Sequence, residues 1–185
     1  MVQENMTGVE VGQSAPDFVA RDLSGNEVRL SGLIGGRKAL LLFYRGGWCP
    51  FCNEQLAGIA RDIRKFQELN AAIVAVSGEE VEKGRALLQK LNLPFVLLSD
   101  KRFEGIDKYG VRDANPSEKV RAMGVAQLSK PSAFVIDTAG IVRYKYVGKS
   151  APDRPKNEDL FRALREADQP LDLSAVVGEG DSRDG

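Results

Sequence analysis

The chain has 185 residues, of which 43% are hydrophobic and 28% are charged, a composition typical of one soluble globular domain and not of a disordered chain. Its 26 Lys and Arg balance its 26 Asp and Glu, so no basic excess indicates nucleic acid or an anionic membrane as a partner. The chain contains no histidine, which excludes histidine general bases, histidine-paired nucleophiles and histidine-ligated zinc or haem.

The N-terminal part of the chain predicts a hairpin, a buried strand and a helix. Residues 17–20 and 27–30 predict short strands joined by the turn Ser24-Gly25-Asn26. The continuous apolar run over residues 38–44 is typical of a central strand that is buried on both faces. Pro50 follows, and proline is favoured at the first position of a helix. The apolar face of that helix is predicted to consist of Leu56, Ile59, Ile63 and Phe66.

The rest of the chain continues the alternation of strands and helices. The predicted elements are a strand over residues 71–77, a helix over 79–91, a strand over 95–98, a short helix over 102–109, a long loop or short helix over 112–130, strands over 132–136 and 141–147, and a helix over 157–167. The segment Asp137-Thr138-Ala139-Gly140 between the last two strands is a hairpin signal.

Strands separated first by helices and then by a hairpin predict a mixed sheet with helices on both faces, in one domain over residues 1–177. Residues 178–185 consist almost entirely of glycine and charged residues and are expected to be disordered. The start of the chain lacks the basic and apolar regions of a signal peptide, and no apolar run approaches the length of a membrane span. We therefore expect a cytoplasmic protein with no membrane partner.

The strongest chemical signal is the cysteine pair in Cys49-Pro50-Phe51-Cys52, between the buried strand and the helix. Two cysteines are too few for a four-cysteine zinc or iron–sulfur site, and Asn53 stands where a c-type haem site needs histidine. We therefore expect no metal and no cofactor. A helix N-terminus stabilises a thiolate, and Arg45 is placed to add a positive charge. The spacing lets the sulfurs meet within one helical turn, as in a redox-active pair.

Residues around the pair carry weaker signals. Gly46 and Gly47 permit a tight turn from strand to helix and suggest backbone N–H groups that face a substrate. Trp48 either shapes the contact surface or simply packs, and the sequence leaves both interpretations open. The charged run over residues 79–83 is interpreted as a solvated helix start whose acidic groups favour the helix dipole.

Pro131 immediately precedes the predicted strand over residues 132–136. Such a proline often has a cis peptide bond, although the sequence does not decide between cis and trans. In a thioredoxin-like fold this proline faces the cysteines and leaves the preceding backbone free to pair with a substrate. Pro131 is therefore a candidate substrate contact.

Four segments of the chain resemble the AhpC/TSA, peroxiredoxin-like branch of the thioredoxin superfamily. They are residues 12–18, 43–52, 109–111 and 131–137. The resemblance covers nearly the whole predicted domain. It implies an α/β, thioredoxin-like fold, in which a central mixed β-sheet is flanked by helices and preceded by an N-terminal β-hairpin extension.

The active-site segment departs from the family pattern. When Phe43-Tyr44 is aligned with the Phe-Tyr-Pro of the family, Cys52 takes the peroxidatic position. Cys49 then stands where the family has threonine, and Arg45 stands where it has proline. The later arginine of the family, which helps to polarise the peroxide, falls near Pro131 and is missing there.

The resemblance favours a thiol-dependent peroxidase and leaves two alternatives open. In the peroxidase, Cys52 attacks peroxide and Cys49 condenses with the resulting sulfenic acid to a disulfide. In a thiol–disulfide oxidoreductase, Cys49 attacks a disulfide substrate and Cys52 resolves the mixed disulfide. In a third interpretation, of another class, the protein is a non-enzymatic redox sensor or interaction module, in which the pair switches a surface for a partner.

The partners implied are a peroxide or disulfide substrate and a thiol reductant such as thioredoxin or glutathione. Because peroxiredoxins often dimerise, the resemblance also suggests a homodimer. The predicted site consists of Cys49 and Cys52 as catalytic residues, with substrate contacts from Arg45, Gly46, Gly47, Trp48 and Pro131.

Overall fold

A computed structural model describes residues 8–170 as a strand-and-helix fold built on one large sheet. The strands are β1 (Val19–Arg21), β2 (Glu27–Arg29), β3 (Lys38–Phe43), β4 (Ala71–Ser77), β5 (Val96–Ser99), β6 (Arg112–Asp113), β7 (Leu128–Ser129), β8 (Ser132–Ile136) and β9 (Val142–Val147). The helices are α1 (Leu30–Ile34), α2 (Pro50–Arg61), α3 (Ile63–Glu68), α4 (Val81–Leu91), α5 (Glu104–Lys108), α6 (Glu118–Ala122) and α7 (Asn157–Glu166).

The large sheet has seven strands in the order β2-β1-β5-β4-β3-β8-β9, and β6 pairs with β7 in a separate small sheet. The interior strand β3 is parallel to β4 and antiparallel to β8, and β4 is parallel to β5. The outer pairs β1–β2 and β8–β9 are antiparallel. The predicted mixed sheet is therefore confirmed.

The interior strand β3 is buried on both of its faces, as its continuous apolar sequence predicts. Leu40 and Leu42 point to the face that α2, α3, α4 and α7 cover. Leu41 and Phe43 point to the opposite face, which α1 and α5 cover. Helices therefore cover both faces of the sheet, as predicted.

Both predicted hairpins are present, and an aspartate organises each turn. The Asp22 carboxylate accepts the backbone N–H groups of Ser24 and Asn26 between β1 and β2. The Asp137 carboxylate accepts those of Ala139 and Ile141 between β8 and β9. These bonds satisfy N–H groups that the strand ladders leave unpaired.

Most predicted boundaries lie within one or two residues of the observed ones, and two segments differ more. The helix expected to continue to Phe66 is interrupted at Asp62, whose carboxylate accepts the Asn157 side-chain amide at 2.8 Å. After this break, Phe66 packs on Phe161 of α7 with ring centroids 4.5 Å apart. The segment over residues 112–130, expected as a loop or short helix, contains β6, α6 and β7, because two short strands pair across it.

No helix within residues 8–170 is both long enough and apolar enough to cross a membrane. The tail over residues 178–185 lies outside the described residues, so its predicted disorder stays a prediction. The same holds for the end of the domain at residue 177.

Candidate active site

The cysteine pair lies at the junction between the end of the buried strand β3 and the start of α2. The chain leaves β3 at Phe43 and turns back through a bond from the Cys49 N–H to the Gly46 carbonyl, at 3.2 Å. Cys49 is the N-cap residue of α2, and Pro50 is the first residue of that helix. The expected strand, turn and helix therefore hold the pair at the carboxyl end of a buried strand.

Both cysteines are free thiols, and both are buried. Cys49 is 1% exposed and Cys52 is 0% exposed. They pack with Leu42, Leu56 and other apolar side chains of one core cluster. Any oxidant or thiol that reacts with either sulfur must therefore approach through an adjacent cavity or displace a neighbouring side chain.

Two donors converge on the Cys52 sulfur. The backbone N–H of Arg45 lies 3.3 Å from Cys52 Sγ, and Arg154 Nη2 lies 3.0 Å from the same atom. Arg154 is held in place by the Ala151 carbonyl, 3.0 Å from its Nε, and by the side-chain oxygen of Gln55 on α2. A guanidinium cation therefore sits beside the sulfur at the peroxidatic position.

Arg154 was missed by the sequence analysis because its loop carries no recognisable motif. The signal that locates it is topological. β8 is antiparallel to both β3 and β9, with Ser132 paired to Phe43 on one side and to Val147 on the other. The last residues of β3 and β9 therefore lie at the same end of the sheet along the strand direction. The loop that follows β9 brings Arg154 to the site.

The Arg45 side chain contacts the other sulfur, as its spacing suggested. Arg45 Nη1 lies 3.6 Å from Cys49 Sγ. The same guanidinium carbon lies 5.0 Å from the ring centroid of Trp48, within the range of a cation–π contact. Each cysteine thus has its own arginine, and Trp48 orients one of them.

The two thiols titrate as a pair. The hydrogen bond that the Cys52 thiol donates lowers the pKa of Cys49 to about 5, with the Arg45 guanidinium adding to the effect against partial burial. The pKa of Cys52 is raised, because its thiol donates that bond and is buried, against the pull of Arg154. At neutral pH the pair therefore carries one negative charge and one proton. Transfer of that proton between the sulfurs moves the charge to Cys52, beside Arg154.

Gly46 and Gly47 form the predicted tight turn, but the Gly47 N–H does not have the predicted role. Neither has a positive φ, so the turn does not depend on left-handed backbone. A Cβ at Gly46 would clash with the Trp48 indole and lie 2.8 Å from Glu79 Oε1. The Gly47 N–H, expected to face a substrate, instead donates to Glu79 Oε2 at 2.9 Å.

Glu79 is a second residue that the sequence analysis misjudged. It was interpreted as part of a solvated helix start, but it is half-buried against the cysteine turn. Burial raises the pKa of its carboxyl group, against the Gly47 N–H and Lys83, which lower it. The hydrogen bond from the Gly47 N–H to Glu79 connects the cysteine turn to the residues just before α4. The two residues are distant in the sequence, so no local pattern predicts this contact.

Pro131 lies at the same edge of the sheet as the cysteine turn but offers no free backbone. Residues 8–170 contain no cis peptide bond, so the Lys130–Pro131 bond is trans. The Lys130 N–H donates to the Val111 carbonyl at 2.7 Å, and the Gly148 N–H donates to the Pro131 carbonyl at 2.7 Å. The expectation that this backbone is available to a substrate is therefore wrong for these two groups, because Val111, just before β6, and Gly148, after β9, already pair with them.

A cavity of about 740 Å³ opens beside the cysteine turn. On the side of the site it is bounded by Arg45, Gly47 and Trp48. Within the described residues, the buried indole N–H of Trp48 has no hydrogen-bond partner. The arrangement therefore combines a charged dithiol pair, two arginines and a cavity large enough for a small molecule.

Comparison with known proteins gives a consistent family. The sequence model of the AhpC/TSA family matches residues 11–145. The chain is 29% identical over 152 residues to a chloroplastic peroxiredoxin Q of Oryza sativa subsp. japonica, covering 82% of this chain and 65% of that protein. It is 31% identical over 135 residues to a protein named putative peroxiredoxin bcp of Coxiella burnetii, covering 72% of this chain and 85% of that one. The chain thus spans less than two thirds of the rice relative.

The fold has close counterparts among solved structures. The crystal structure of peroxidoxin BcpB from Mycobacterium tuberculosis superposes with a TM-score of 0.72, covering 84% of this chain and 96% of that one. The two sequences are 24% identical. This similarity supports the thioredoxin-like architecture predicted from the sequence.

Proposed function

This chain belongs to the AhpC/TSA family, and we propose that it is a thiol-dependent peroxidase that reduces peroxides through a Cys49/Cys52 dithiol–disulfide cycle. The observation that carries the proposal is the pair of donors at Cys52 Sγ, the Arg45 N–H at 3.3 Å and Arg154 Nη2 at 3.0 Å. A thiolate that attacks a peroxide needs such donors, because negative charge passes from sulfur to oxygen during the reaction.

In the first step, the Cys52 thiolate attacks the terminal oxygen of the peroxide. The sulfur–oxygen bond forms as the oxygen–oxygen bond breaks, and Cys52 becomes a sulfenic acid. The departing alkoxide takes the proton of the Cys49 thiol and leaves as an alcohol, or as water when the peroxide is hydrogen peroxide. Arg154 stabilises the charge on sulfur before the attack and on oxygen during it.

In the second step, Cys49 resolves the sulfenic acid. Its thiolate, favoured by a pKa lowered to about 5, attacks Cys52 Sγ, and hydroxide departs and is protonated by solvent to water. An external thiol, such as thioredoxin or glutathione, then reduces the disulfide. The proposed compartment is the cytoplasm, where cysteine pairs of this kind are catalytic or sensing and not structural.

The thiol–disulfide oxidoreductase alternative finds less support. An enzyme that attacks protein disulfides presents its first cysteine to the partner, whereas Cys49 is 1% exposed. It also pairs substrate backbone beside its proline, and the backbone at Lys130 and Pro131 is already bonded to Val111 and Gly148. A peroxide, being small, needs neither feature.

The experiment is a single-turnover reaction of the reduced protein with one equivalent of hydrogen peroxide. Trp48, the single tryptophan of the chain, reports the reaction by stopped-flow fluorescence, and intact mass identifies the product. We expect rapid loss of two hydrogen atoms. Cys52→Ser should abolish the reaction, and Cys49→Ser should trap a sulfenic acid. No reaction with peroxide, while the pair still equilibrates with a glutathione redox buffer, would refute the peroxidase.

Turnover separates the enzyme from the redox-sensor alternative. With excess peroxide and excess thiol, the enzyme should consume many equivalents of peroxide per chain. A sensor would be oxidised once and then reduced slowly. Consumption that stops after one equivalent, even though the thiol reduces the disulfide readily, would favour the sensor.

A further inference from the structure

The proposed peroxide step leaves most of the cavity beside the cysteine turn without a role. Its volume, about 740 Å³, is that of a small-molecule site and far exceeds the needs of a peroxide group. Besides the turn, it is lined by residues of α4, of the α5 region and of the segment after α6. Its lining side chains include Lys83, Leu87, Lys90, Lys101, Phe103 and Met123.

The cavity approaches the pair from the Cys49 side. Arg45 lines it, and the same guanidinium holds its Nη1 3.6 Å from Cys49 Sγ. The groups that surround Cys52 from the other direction, Arg154 and Gln55, do not line the cavity. Neither cysteine lines the cavity, but Cys49 is separated from it only by the side chain of Arg45 and by the neighbouring turn residues Gly47 and Trp48.

The lining of the cavity combines cations with an apolar floor. The charged residues of the lining are four cations, Arg45, Lys83, Lys90 and Lys101, and two carboxylates, Glu79 and Glu80. Glu80 is already paired with Lys101 at 2.9 Å. The floor is formed by apolar side chains, Leu87, Phe103 and Met123 among them, and Met123 is 51% exposed. Because the cations outnumber the carboxylates, a ligand that fits this cavity carries carboxylate groups of its own, on a small organic molecule that contacts the apolar side chains.

We propose that this cavity binds the reductant of the enzyme, a small thiol that carries carboxylate groups, of the glutathione class, and directs its thiolate to Cys49 Sγ. The proposal rests on the dithiol–disulfide cycle proposed above and names the thiol that closes it. A small occupant fits a concave site of this size, whereas a protein reductant would need an exposed sulfur.

The reduction consists of two exchanges. The first thiolate attacks Cys49 Sγ, a new sulfur–sulfur bond forms, and Cys52 departs as a thiolate. A second thiol then attacks the sulfur of the bound small molecule and releases Cys49. Two small thiols are thereby oxidised to one disulfide, while their protons and electrons restore Cys49 and Cys52.

The direction of access gives the reason for attack at Cys49. Arg45 lines the cavity and its Nη1 lies 3.6 Å from Cys49 Sγ, whereas Arg154 and Gln55, on the other side of Cys52, do not line it. When Cys49 is attacked, Cys52 departs as a thiolate. The Arg154 Nη2 and the Arg45 N–H, which lie 3.0 Å and 3.3 Å from its sulfur in the reduced protein, are placed to stabilise that charge.

The test begins from protein oxidised with diamide, so that it does not depend on any reaction with peroxide. The rate of disulfide reduction is measured with glutathione, with glutathione diethyl ester and with 2-mercaptoethanol. We expect glutathione to react fastest at equal thiolate concentration. Lys90→Glu should slow glutathione about tenfold, the size of one charge-assisted contact, and leave 2-mercaptoethanol unchanged.

The matched control is Lys119→Glu, the same charge reversal at an exposed lysine of α6 that does not line the cavity. It should alter none of the three rates. Equal rates for the three thiols, or equal slowing by the two variants, would overturn the proposal. So would reduction by thioredoxin that depends on Lys90 while glutathione is inactive, because the occupant would then be a protein.

The position of attack is tested by trapping. Glutathione disulfide added to the Cys52→Ser variant should yield a mixed disulfide at Cys49, found by intact mass and peptide mapping. Lys90→Glu in that background should reduce its rate of formation. A mixed disulfide that forms as readily on Cys52 in the Cys49→Ser variant would refute attack from the cavity side. Loss of peroxide reactivity with normal reduction by glutathione would instead refute only the peroxidase.

Discussion

The two sulfurs contact different guanidinium groups, Arg154 at Cys52 and Arg45 at Cys49. The family pattern places its later arginine near the position of Pro131, which carries no charge. Arg154 reaches Cys52 Sγ from the loop after β9, at 3.0 Å. A cation at the reacting sulfur is thus supplied from another part of the fold, and Arg45, where the family has proline, serves the second sulfur.

Replacing Arg154 should slow the peroxide step more than it harms the fold. We expect Arg154→Gln to lower the second-order rate constant with hydrogen peroxide by about 100-fold, since it removes the cation that stabilises charge on sulfur and oxygen. The measurement is stopped-flow fluorescence of Trp48. Arg154→Lys should retain part of the rate.

The control for this substitution is Arg162→Gln, which removes an exposed arginine on α7 paired with Asp159. Its rate constant should match that of the unaltered protein. If Arg154→Gln reacts as fast as the control, the cation at Cys52 has no catalytic role.

The acidity of Cys49 depends on its neighbour, and the sign of the effect is testable. The pKa of Cys49 is lowered to about 5 because the Cys52 thiol donates a hydrogen bond to it. Cys52→Ala removes that donor, so the pKa should rise toward the ordinary value of about 8.5. Between these pH values Cys49 is ionised in the unaltered protein and largely protonated in the variant.

The ultraviolet absorbance of the thiolate, followed against pH, measures this change. Cys52→Ser keeps a hydroxyl donor and should shift the midpoint less than Cys52→Ala. An unchanged midpoint in the alanine variant would mean that Arg45 and the helix N-terminus alone lower the pKa.

At the scale of elements, the turn between β3 and α2 is the part of the fold that sets the site. A hydrogen bond from the Cys49 N–H to the Gly46 carbonyl closes the turn. A second hydrogen bond, from the Gly47 N–H to Glu79, holds the turn against the residues just before α4. Strand, turn and two helix starts thus meet at the cysteines. Space, and not backbone handedness, explains why a glycine stands at position 46.

Gly46→Ala and Gly47→Ala form a matched pair that tests this explanation. A Cβ at position 46 collides with Trp48 and Glu79, whereas one at position 47 has its nearest contact 3.5 Å away, at Leu87 Cβ. We expect Gly46→Ala to lower the free energy of unfolding by about 1–3 kcal/mol, to shift the Trp48 emission and to slow the peroxide reaction. Gly47→Ala should leave all three measurements close to those of the unaltered protein.

At the scale of the whole molecule, a cluster of aromatic side chains and the cysteine pair lie on opposite faces of the sheet. Four aromatic side chains form a buried cluster on the face away from the cysteines, with the ring of Tyr109 4.9 Å from that of Phe134 and 5.3 Å from that of Phe43. The cysteines belong to the other core. Damage to the aromatic cluster should therefore weaken the fold without retuning the thiols.

Phe134→Ala should lower the free energy of unfolding by about 3–5 kcal/mol, since it leaves a cavity in the aromatic cluster. Urea denaturation of the reduced protein measures the loss. Val11→Ala, at a residue that is 48% exposed, should change it by less than about 0.5 kcal/mol. The titration of Cys49 should be the same in both variants under native conditions, and a shift in Phe134→Ala would contradict the separation of the two cores.

The sequence by itself determined those features that depend on neighbouring residues. The apolar run of β3, the proline at the start of α2 and the spacing of Cys49 and Cys52 each predict local structure, because periodicity and the first turn of a helix are set within a few residues. The resemblance to the AhpC/TSA family then supplied the fold. The alternation of elements predicted the mixed sheet and its covering helices for the same local reasons.

Only the tertiary structure decided which distant groups surround the sulfurs. Arg154 and Glu79 reach the site through the order and register of the strands. The backbone at Lys130 and Pro131 is paired with Val111, just before β6, and with Gly148 in the loop after β9. The cavity likewise exists only between packed elements. Such contacts follow from side-chain packing across the sheet, which fixes positions that no pattern within a short segment encodes.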